Sequence, residues 1–294
     1  MEESFLVILE AEFPTLILTI GALLGLIIGS FLNVVIYRLP QILEQDWKNQ
    51  AQTILEPDSV IPHTRTFNLI FPNSHCPSCA HEIKPWENIP VISYLFLRGK
   101  CSNCGIRISI RYPLIETLTA AITAIVLFKF GLTSASLFAL VLSWCLICLA
   151  MIDYDHQILP DNITLPLLWL GLIANSFNVL VDFRDAFWGA ITGYMLLWLL
   201  YWAFKLITGK EGMGYGDFKL LAVLGAWMGW QSLPTIVILS SLSGAIIGGT
   251  LIFFGRDRQQ PIPFGPYLAI AGLVTLIWQE QIENLYYQFA LSGI

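Results

Sequence analysis

The chain alternates long apolar segments with short polar ones. Eight segments approach or exceed the length of about 20 apolar residues that a membrane-spanning helix needs. They cover residues 13–37, 113–130, 134–152, 163–181, 186–207, 218–230, 233–254 and 264–278. Because the sixth and eighth are short for the bilayer, we expect them to tilt, to be buried in the bundle or to be extended at their ends by polar residues. The pattern predicts an all-α membrane helix bundle of about eight spans.

Composition excludes a soluble protein. The chain is 56% hydrophobic and 12% charged, with a mean hydropathy of +0.68, whereas a soluble domain carries about 25% charged residues. The first residues have no basic stretch ahead of the apolar run, so we expect a retained anchor rather than a cleaved signal peptide.

Glycines at four-residue spacing predict faces where helices pack closely. They are Gly21, Gly25 and Gly29 in the first span and Gly244 and Gly248 in the seventh.

The distribution of basic residues predicts the orientation. With eight spans, loops alternate sides, and one side holds thirteen Lys and Arg residues against two on the other, Lys129 and Arg184. The thirteen are Arg38, Lys48, Arg65, Lys84, Arg98, Lys100, Arg107, Arg111, Lys205, Lys210, Lys219, Arg256 and Arg258. Without the long first loop the ratio is five to two. The side rich in positive charge is cytoplasmic, which places both termini in the periplasm.

Two aspartates lie where apolar segments meet cytoplasmic loops. Asp153 ends the third span and Asp217 begins the sixth, so the two carboxylates can meet at the same face. A carboxylate beside hydrocarbon is costly, and it serves as a helix cap, a paired group or a functional site. Asp217 and Asp161 each precede an apolar helix and fit an N-cap. Asp153 follows a span and does not fit that interpretation.

An acid pair can perform hydrolysis. Two carboxylates that share a site can hold one proton between them, so that one activates a water while the other polarises a peptide carbonyl. Gly212, Gly214 and Gly216 alternate before Asp217 and give an open backbone that a peptide could approach. A phosphate-binding loop is disfavoured, because the segment lacks the lysine-serine or lysine-threonine ending and carries an acid at the helix start.

The loop at residues 39–112 contains two C-x-x-C pairs. Cys76 and Cys79 are separated from Cys101 and Cys104 by 21 residues, a pattern typical of tetrahedral zinc. A reducing cytosol favours a metal over disulfides, although a redox pair is the alternative. His75 and His81 lie close enough to replace a cysteine ligand. A closed four-sulfur site predicts a structural rather than a catalytic ion.

The combination of motifs resembles the prepilin peptidases, also called type IV leader peptidases, in their longer bacterial form. The likeness runs from about residue 21 to 270. Four segments and the four cysteines match the pattern of the family. The segments are GSFLNVVIYRLP at 29–40, RYPLIE at 111–116, residues 153–161 followed by ITLPLLWLGL, and GYGDFK at 214–219.

The resemblance implies an aspartyl protease of the bacterial inner membrane with Asp153 and Asp217 as the catalytic pair. Its substrates would be prepilins and the pseudopilins of type II secretion, cut on the cytoplasmic side after a glycine. Such a precursor is a basic leader followed by an apolar helix, so its scissile bond rests at the face where the charge count places both aspartates. Forms with the cysteine loop also methylate the new amino terminus with S-adenosylmethionine.

The residues for methyl transfer are less clear, because the chain has no Rossmann-type glycine fingerprint. Glu116, Asn33 and Arg38 are candidates for the cofactor or the new amine, and each is equally a candidate structural hydrogen-bonding group. The expected division is a first helix at 1–38, a zinc loop at 39–112, a peptidase core at 113–280 and a tail at 281–294.

Other functions remain open at this point. A peptidase that does not methylate is the nearest alternative, and a non-enzymatic assembly platform with a zinc docking loop is another. An ion transporter predicts acids near the centres of spans and is disfavoured. The expected partners are the pilin precursors and the lipid bilayer, with no nucleic acid.

Overall fold

The structure, a computed structural model, describes residues 12–56, 67–255 and 262–292. These residues form nine α-helices and no β-strand, which confirms the predicted all-α class. The helices are α1 (Pro14–Leu55), α2 (Ile92–Phe96), α3 (Arg111–Phe130), α4 (Ser134–His156), α5 (Asp161–Ser176), α6 (Phe183–Thr208), α7 (Tyr215–Met228), α8 (Leu233–Phe253) and α9 (Gly265–Ser292). Arg65, Arg256 and Arg258, which entered the charge count, lie outside the described residues.

Within the described residues, five helical segments are long and apolar enough to cross a membrane: Pro14–Leu55, Arg111–Phe130, Ser134–His156, Phe183–Thr208 and Trp230–Phe253. Helix α7, the sixth predicted span, has only 14 residues, and nearly all of them from Asp217 onward are buried. A helix that is apolar on every side belongs in a protein interior. Burial inside the bundle, one of the expectations for the sixth span, is therefore confirmed.

Two helices continue beyond the ends of their predicted spans, and for the eighth span an extension by polar residues was one of the expectations. Helix α1 continues to Leu55, through Pro40, so the boundary at residues 38–39 falls inside it. Residues 41–55 contain four Gln and two Leu, which are good helix formers, and no Gly or Pro. Lys48 pairs with Glu44 one turn away at 2.7 Å. Helix α9 likewise runs to Ser292 through the predicted tail, with non-helical backbone at Trp278, where the eighth span was predicted to end.

The chain divides into two compact units, Met1–Phe128 and Lys129–Ile294. The division falls at the end of α3, whereas the sequence analysis grouped this helix with the peptidase core. In the first unit, α1 packs on α3 through the predicted glycine face. A Cβ added to Gly25 would lie 2.6 Å from the Cα of Ala120, and one added to Gly29 would lie 2.7 Å from the Cα of Glu116.

In the second unit, α7 is enclosed by α5 and α6. Gly189 of α6 and Gly225 of α7 meet backbone to backbone, with no room for a Cβ on either. On the other side, the indole Nε1 of Trp227 donates to the carbonyl of Leu167 at 2.8 Å, and the missing side chain of Gly171 leaves room for that ring. These contacts fix the position of α7, which carries Asp217.

We expect Gly225→Ala to destabilise the second unit by about 1–3 kcal/mol, because a methyl group there forces two helix backbones apart. The matched control is Gly249→Ala in α8, where an added Cβ meets nothing within 4 Å. Thermal unfolding in detergent micelles measures both. Equal midpoints for the two variants would contradict the close α6–α7 contact.

Candidate active site and metal centre

Asp153 lies in the last turn of α4 and is 6% exposed. The carbonyl end of a helix carries the negative end of its dipole, so an ionised carboxylate there is unfavourable without compensation. The compensation comes from the start of α9, where the backbone N–H of Gly265 donates to Oδ2 of Asp153 at 3.0 Å. Asp153 therefore stands at the negative end of one helix and the positive end of another.

Asp217 lies in the first turn of α7 and is 7% exposed. The N-cap residue of this helix is Gly214, and no side-chain cap hydrogen bond is present. The N-cap interpretation of Asp217 is therefore wrong, because Asp217 is the third residue of the helix; its Oδ2 lies 3.8 Å from a Cβ built on Gly214. Helix α9 packs on both α4 and α7, so the structure places the two aspartates that the sequence singled out at the ends of helices that share this neighbour.

Gly265 is a site residue that the sequence analysis missed. An added Cβ would lie 2.6 Å from Oδ2 of Asp153, so only a glycine lets the backbone approach this carboxylate so closely. The signal in the sequence is a glycine between Pro263 and Pro266 just before an apolar segment. A proline-flanked glycine is common at turns, and its pairing with Asp153, 112 residues away, has no local signature.

Asp161 is also not a cap. The N-cap residue of α5 is Pro160, without a side-chain hydrogen bond. Instead Nζ of Lys219 donates to both carboxylate oxygens of Asp161, at 2.6 and 2.8 Å. This pair joins the start of α5 to the first turn of α7, two residues beyond Asp217. The side chains are partly exposed, so the pair fixes geometry more than it adds stability.

The glycines before Asp217 have different surroundings. The side-chain atom nearest to a Cβ added at Gly214 is Oδ2 of Asp217, at 3.8 Å, which leaves space next to the carboxylate. Gly216 instead packs against Leu159, 2.9 Å from an added Cβ. Gly214 thus borders an open approach to Asp217, whereas Gly216 lets α7 lie against the segment before α5.

An aromatic cluster lies beside Asp217. The ring of Phe218 contacts the rings of Tyr215, Tyr201 and Tyr194 at centroid distances of 5.3, 5.7 and 5.9 Å. Phe218 is fully buried, whereas Tyr215 is 49% exposed. The cluster holds the first turn of α7 against α6 and presents one apolar ring to the outside near the aspartates.

In the first unit, the four loop cysteines converge. Their sulfur atoms all lie within 4.8 Å of one another, with Cys76 and Cys104 at 3.8 Å and Cys79 and Cys101 at 4.0 Å. Four sulfurs at tetrahedral positions 2.3 Å from a zinc ion lie about 3.8 Å apart. The arrangement fits a tetrahedral metal site.

The two C-x-x-C turns are built alike. The N–H of Cys76 donates to the carbonyl of His81, and the N–H of Cys101 donates to that of Ile106, both at 2.9 Å. The backbone amide of His81, followed by the side chain of Asn103, lowers the pKa of the Cys79 thiol to about 6. A thiolate is the form that binds a metal ion.

Neither neighbouring histidine takes part in the sulfur cluster. Nε2 of His81 pairs with the Glu87 carboxylate at 3.3 Å, and Nδ1 of His75 lies 3.1 Å from the carbonyl oxygen of Asn73. The donor set is therefore the four cysteines.

Each candidate for methyl transfer has a backbone partner within the first unit. Nδ2 of Asn33 donates to the carbonyl of Tyr112 at 3.1 Å, and a carboxylate oxygen of Glu116 accepts the N–H of Val91 at 2.7 Å. The guanidinium of Arg38 donates to three carbonyls of the loop that follows the gap in the described residues, those of Asn68, Leu69 and Pro72. These contacts favour the structural role for all three.

Two family models match the chain. Residues 23–130 match the bacterial peptidase A24 N-terminal domain, and residues 140–249 match the type IV leader peptidase family. The boundary between them agrees with the division of the structure at residues 128–129. No solved structure matches the chain.

Curated relatives match over nearly their whole length. The prepilin leader peptidase/N-methyltransferase of Pseudomonas aeruginosa is 53% identical over 283 residues, covering 95% of this chain and 97% of the relative. Proteins of the same name from Aeromonas hydrophila and Xanthomonas campestris are 49% and 47% identical, again over at least 95% of this chain. With both units matched and about half of all positions identical, the chain belongs to the type IV leader peptidase family.

Proposed function

We propose that this protein is an aspartyl endopeptidase of the bacterial inner membrane that removes the leader from type IV prepilins and type II secretion pseudopilins. Asp153 and Asp217 are its catalytic pair. The observation that carries the proposal is the burial of both carboxylates at the ends of α4 and α7, two helices that both pack against α9. The names of the relatives support pilin precursors as the substrates.

In the mechanism, the pair holds one proton. The N–H of Gly265 favours the charged form of Asp153, so Asp153 takes a proton from a water as that water attacks the peptide carbonyl. Asp217 gives its proton to the carbonyl oxygen, which stabilises the tetrahedral intermediate. When the carbon–nitrogen bond breaks, the departing amine takes the proton that Asp153 had accepted, and the intermediate's hydroxyl returns its proton to Asp217.

The open space beside Gly214 supports the access of a peptide to Asp217. Gly216 has a positioning role, because its contact with Leu159 holds α7 in place. We place the pair at the cytoplasmic face, together with the cysteine loop, and both termini in the periplasm, on the basis of the charge count. A basic leader would then remain in the cytoplasm while the apolar helix of the precursor lies in the bilayer.

We further propose that the enzyme transfers a methyl group from S-adenosylmethionine to the new terminal amine. The name of the relatives supports the N-methyl transfer, and the family resemblance of the sequence supports the donor. S-adenosylmethionine would supply the methyl group when bound. We assign no residue to the methyl donor, because Asn33, Arg38 and Glu116 already have structural partners.

The metal is proposed to be a structural zinc ion bound by Cys76, Cys79, Cys101 and Cys104. The fit of the sulfur distances to a tetrahedron supports it. Zinc with four protein ligands stabilises the fold of the site that binds it and leaves no position for a substrate.

We expect Asp153→Asn and Asp217→Asn each to lower prepilin cleavage by at least about 10³-fold, because either change leaves the pair unable to move both protons. Cleavage of a purified prepilin by the reconstituted enzyme measures this. Asp155→Asn, an exposed residue in the same turn as Asp153, is the matched control and should cleave normally.

A folded Asp153 or Asp217 variant that cleaves at close to the wild-type rate would overturn the assignment. The same assay with S-adenosylmethionine tests methylation by the mass of the product. A product that is never heavier by one methyl group indicates the peptidase-only alternative.

We expect Gly265→Ala to lower kcat by about 10²-fold with little change in KM, because the added methyl displaces Asp153 without touching substrate contacts. Steady-state kinetics on a synthetic precursor peptide measures both constants. Gly249→Ala provides the control for a methyl added to a membrane helix. A Gly265→Ala variant with unchanged kcat would show that this close approach does not position Asp153.

We expect purified protein to contain one zinc ion per chain and Cys76→Ser to lose it, because a hydroxyl is a poor substitute for a thiolate ligand. Elemental analysis by mass spectrometry measures the zinc. Cys145→Ser in α4, which lies outside the cluster, should retain the ion. Full zinc content in Cys76→Ser, or disulfides between the four cysteines, would contradict the assignment.

A further inference from the structure

The short helix α2 in the polar loop has an inverted polarity. Its side chains at the i, i+3 and i+4 positions, Ile92, Leu95 and Phe96, are 47%, 68% and 85% exposed. Ser93, in contrast, is buried, and its hydroxyl donates to the carbonyl of Trp86 at 2.7 Å and accepts from the N–H of Ile89 at 3.1 Å. A helix on a water-exposed domain shows the opposite arrangement, with apolar residues inside.

The segment that Ser93 ties to α2 is apolar on the outside as well. Trp86 is 65% exposed and Ile89 is 44% exposed. We call the five side chains together the α2 surface, and its members are Trp86, Ile89, Ile92, Leu95 and Phe96. Exposed large apolar side chains that cluster in this way are typical of a contact with a partner or a membrane.

A hydrogen bond between the residue before α2 and the membrane helix α3 fixes the position of the α2 surface along the axis of α3. The N–H of Val91, the residue before α2, donates to the carboxylate of Glu116 at 2.7 Å. The backbone of Val91 has φ 59°, an unfavourable region for a β-branched residue, so the turn is held by its surroundings. Glu116 and α1 form part of those surroundings, since Gly29 of α1 packs on the Cα of Glu116.

Glu116 lies inside the membrane-spanning helix α3, between one and two turns from its first residue. Helix α3 has 20 residues and a length of about 30 Å, which is the thickness of the hydrocarbon core. Glu116 comes five residues after Arg111, about 7–8 Å along the axis. An amphipathic helix in a membrane interface is buried by about 5–10 Å. The anchor to Glu116 therefore holds α2 at the depth of the interface.

The charges around the α2 surface match an anionic layer. Between residues 84 and 111 the chain has five basic residues and one acidic residue, Glu87. The basic residues are Lys84, Arg98, Lys100, Arg107 and Arg111. Glu87 is already bonded to the N–H of Lys84 and to His81. Basic residues beside exposed apolar and aromatic side chains are typical of segments that bind anionic lipid headgroups.

We propose that the α2 surface is a membrane-docking element, with Phe96, Leu95 and Ile92 in the interface of the bilayer that α1 and α3 span and with Arg98 and Lys100 on anionic phospholipid headgroups. The occupant is the lipid monolayer, since the loop is tethered to that membrane at both ends and Glu116 fixes its depth. Docking would hold the four-cysteine site against the membrane surface.

The test uses the full-length protein in lipid nanodiscs with a fluorescent amino acid at position 96. Lipids brominated near the headgroup end of their acyl chains quench a probe that lies in the interface. The control carries the same probe at Gln52, an exposed position in the polar part of α1, fifteen residues and about 22 Å beyond the predicted end of the first span. We expect quenching at position 96 to exceed that at position 52 several-fold.

The headgroup contact is tested with the bromines placed either on an anionic or on a zwitterionic lipid in mixed nanodiscs. We expect the anionic lipid to quench position 96 more strongly, and the double variant Arg98→Gln/Lys100→Gln to remove that preference. Equal quenching at positions 96 and 52, or no preference for the anionic lipid in the wild type, overturns the proposal. A signal that changes with the number of protein copies per disc, and not with the lipid, indicates that a second copy covers the surface.

Discussion

The cost of keeping two carboxylates out of water dominates the second unit of this protein. An isolated buried charge is strongly unfavourable, and two that act on each other cannot both ionise freely. The structure meets this cost at Asp153 with the N–H of Gly265 from another helix, and it places Asp217 at the positive end of α7. The close contact of Gly189 with Gly225 and the Lys219–Asp161 pair then fix the position of α7 and of Asp217 on it.

The first unit solves a different problem, since a small polar loop has little apolar surface to bury in its own core. The four converging cysteine sulfurs could hold a metal ion, which would link the two C-x-x-C turns. A second link comes from polar groups of the spanning helices, with Glu116 on Val91 and Arg38 on the carbonyls near Pro72. The exposed apolar side chains of α2 then have a natural partner in the bilayer itself.

Sequence alone predicts features that depend on local pattern. The length of the apolar segments predicts the helical class and places Asp153 at the end of a span. The spacing of the two C-x-x-C pairs predicts that the four cysteines converge. The end of α1 does not follow, because the apolar pattern reports burial in lipid whereas helix propensity continues to Leu55. Contacts between distant segments, such as Gly265 with Asp153 or Lys219 with Asp161, have no local signature in the sequence. The N-cap predictions for Asp161 and Asp217 were wrong because such long-range contacts determine the surroundings of these carboxylates.

The joint action of Asp153 and Asp217 is tested most directly with a precursor peptide whose scissile carbonyl is replaced by a hydroxyl-bearing carbon. This group mimics the tetrahedral intermediate, and the quantity measured is the affinity of the enzyme for the peptide. It would be measured on the wild type, on Asp153→Asn, on Asp217→Asn and on the double variant. If the two aspartates act as one pair, each single change weakens binding by a similar factor and the double change adds little more. Independent losses that multiply in the double variant, or a single variant that binds like the wild type, would contradict a shared site.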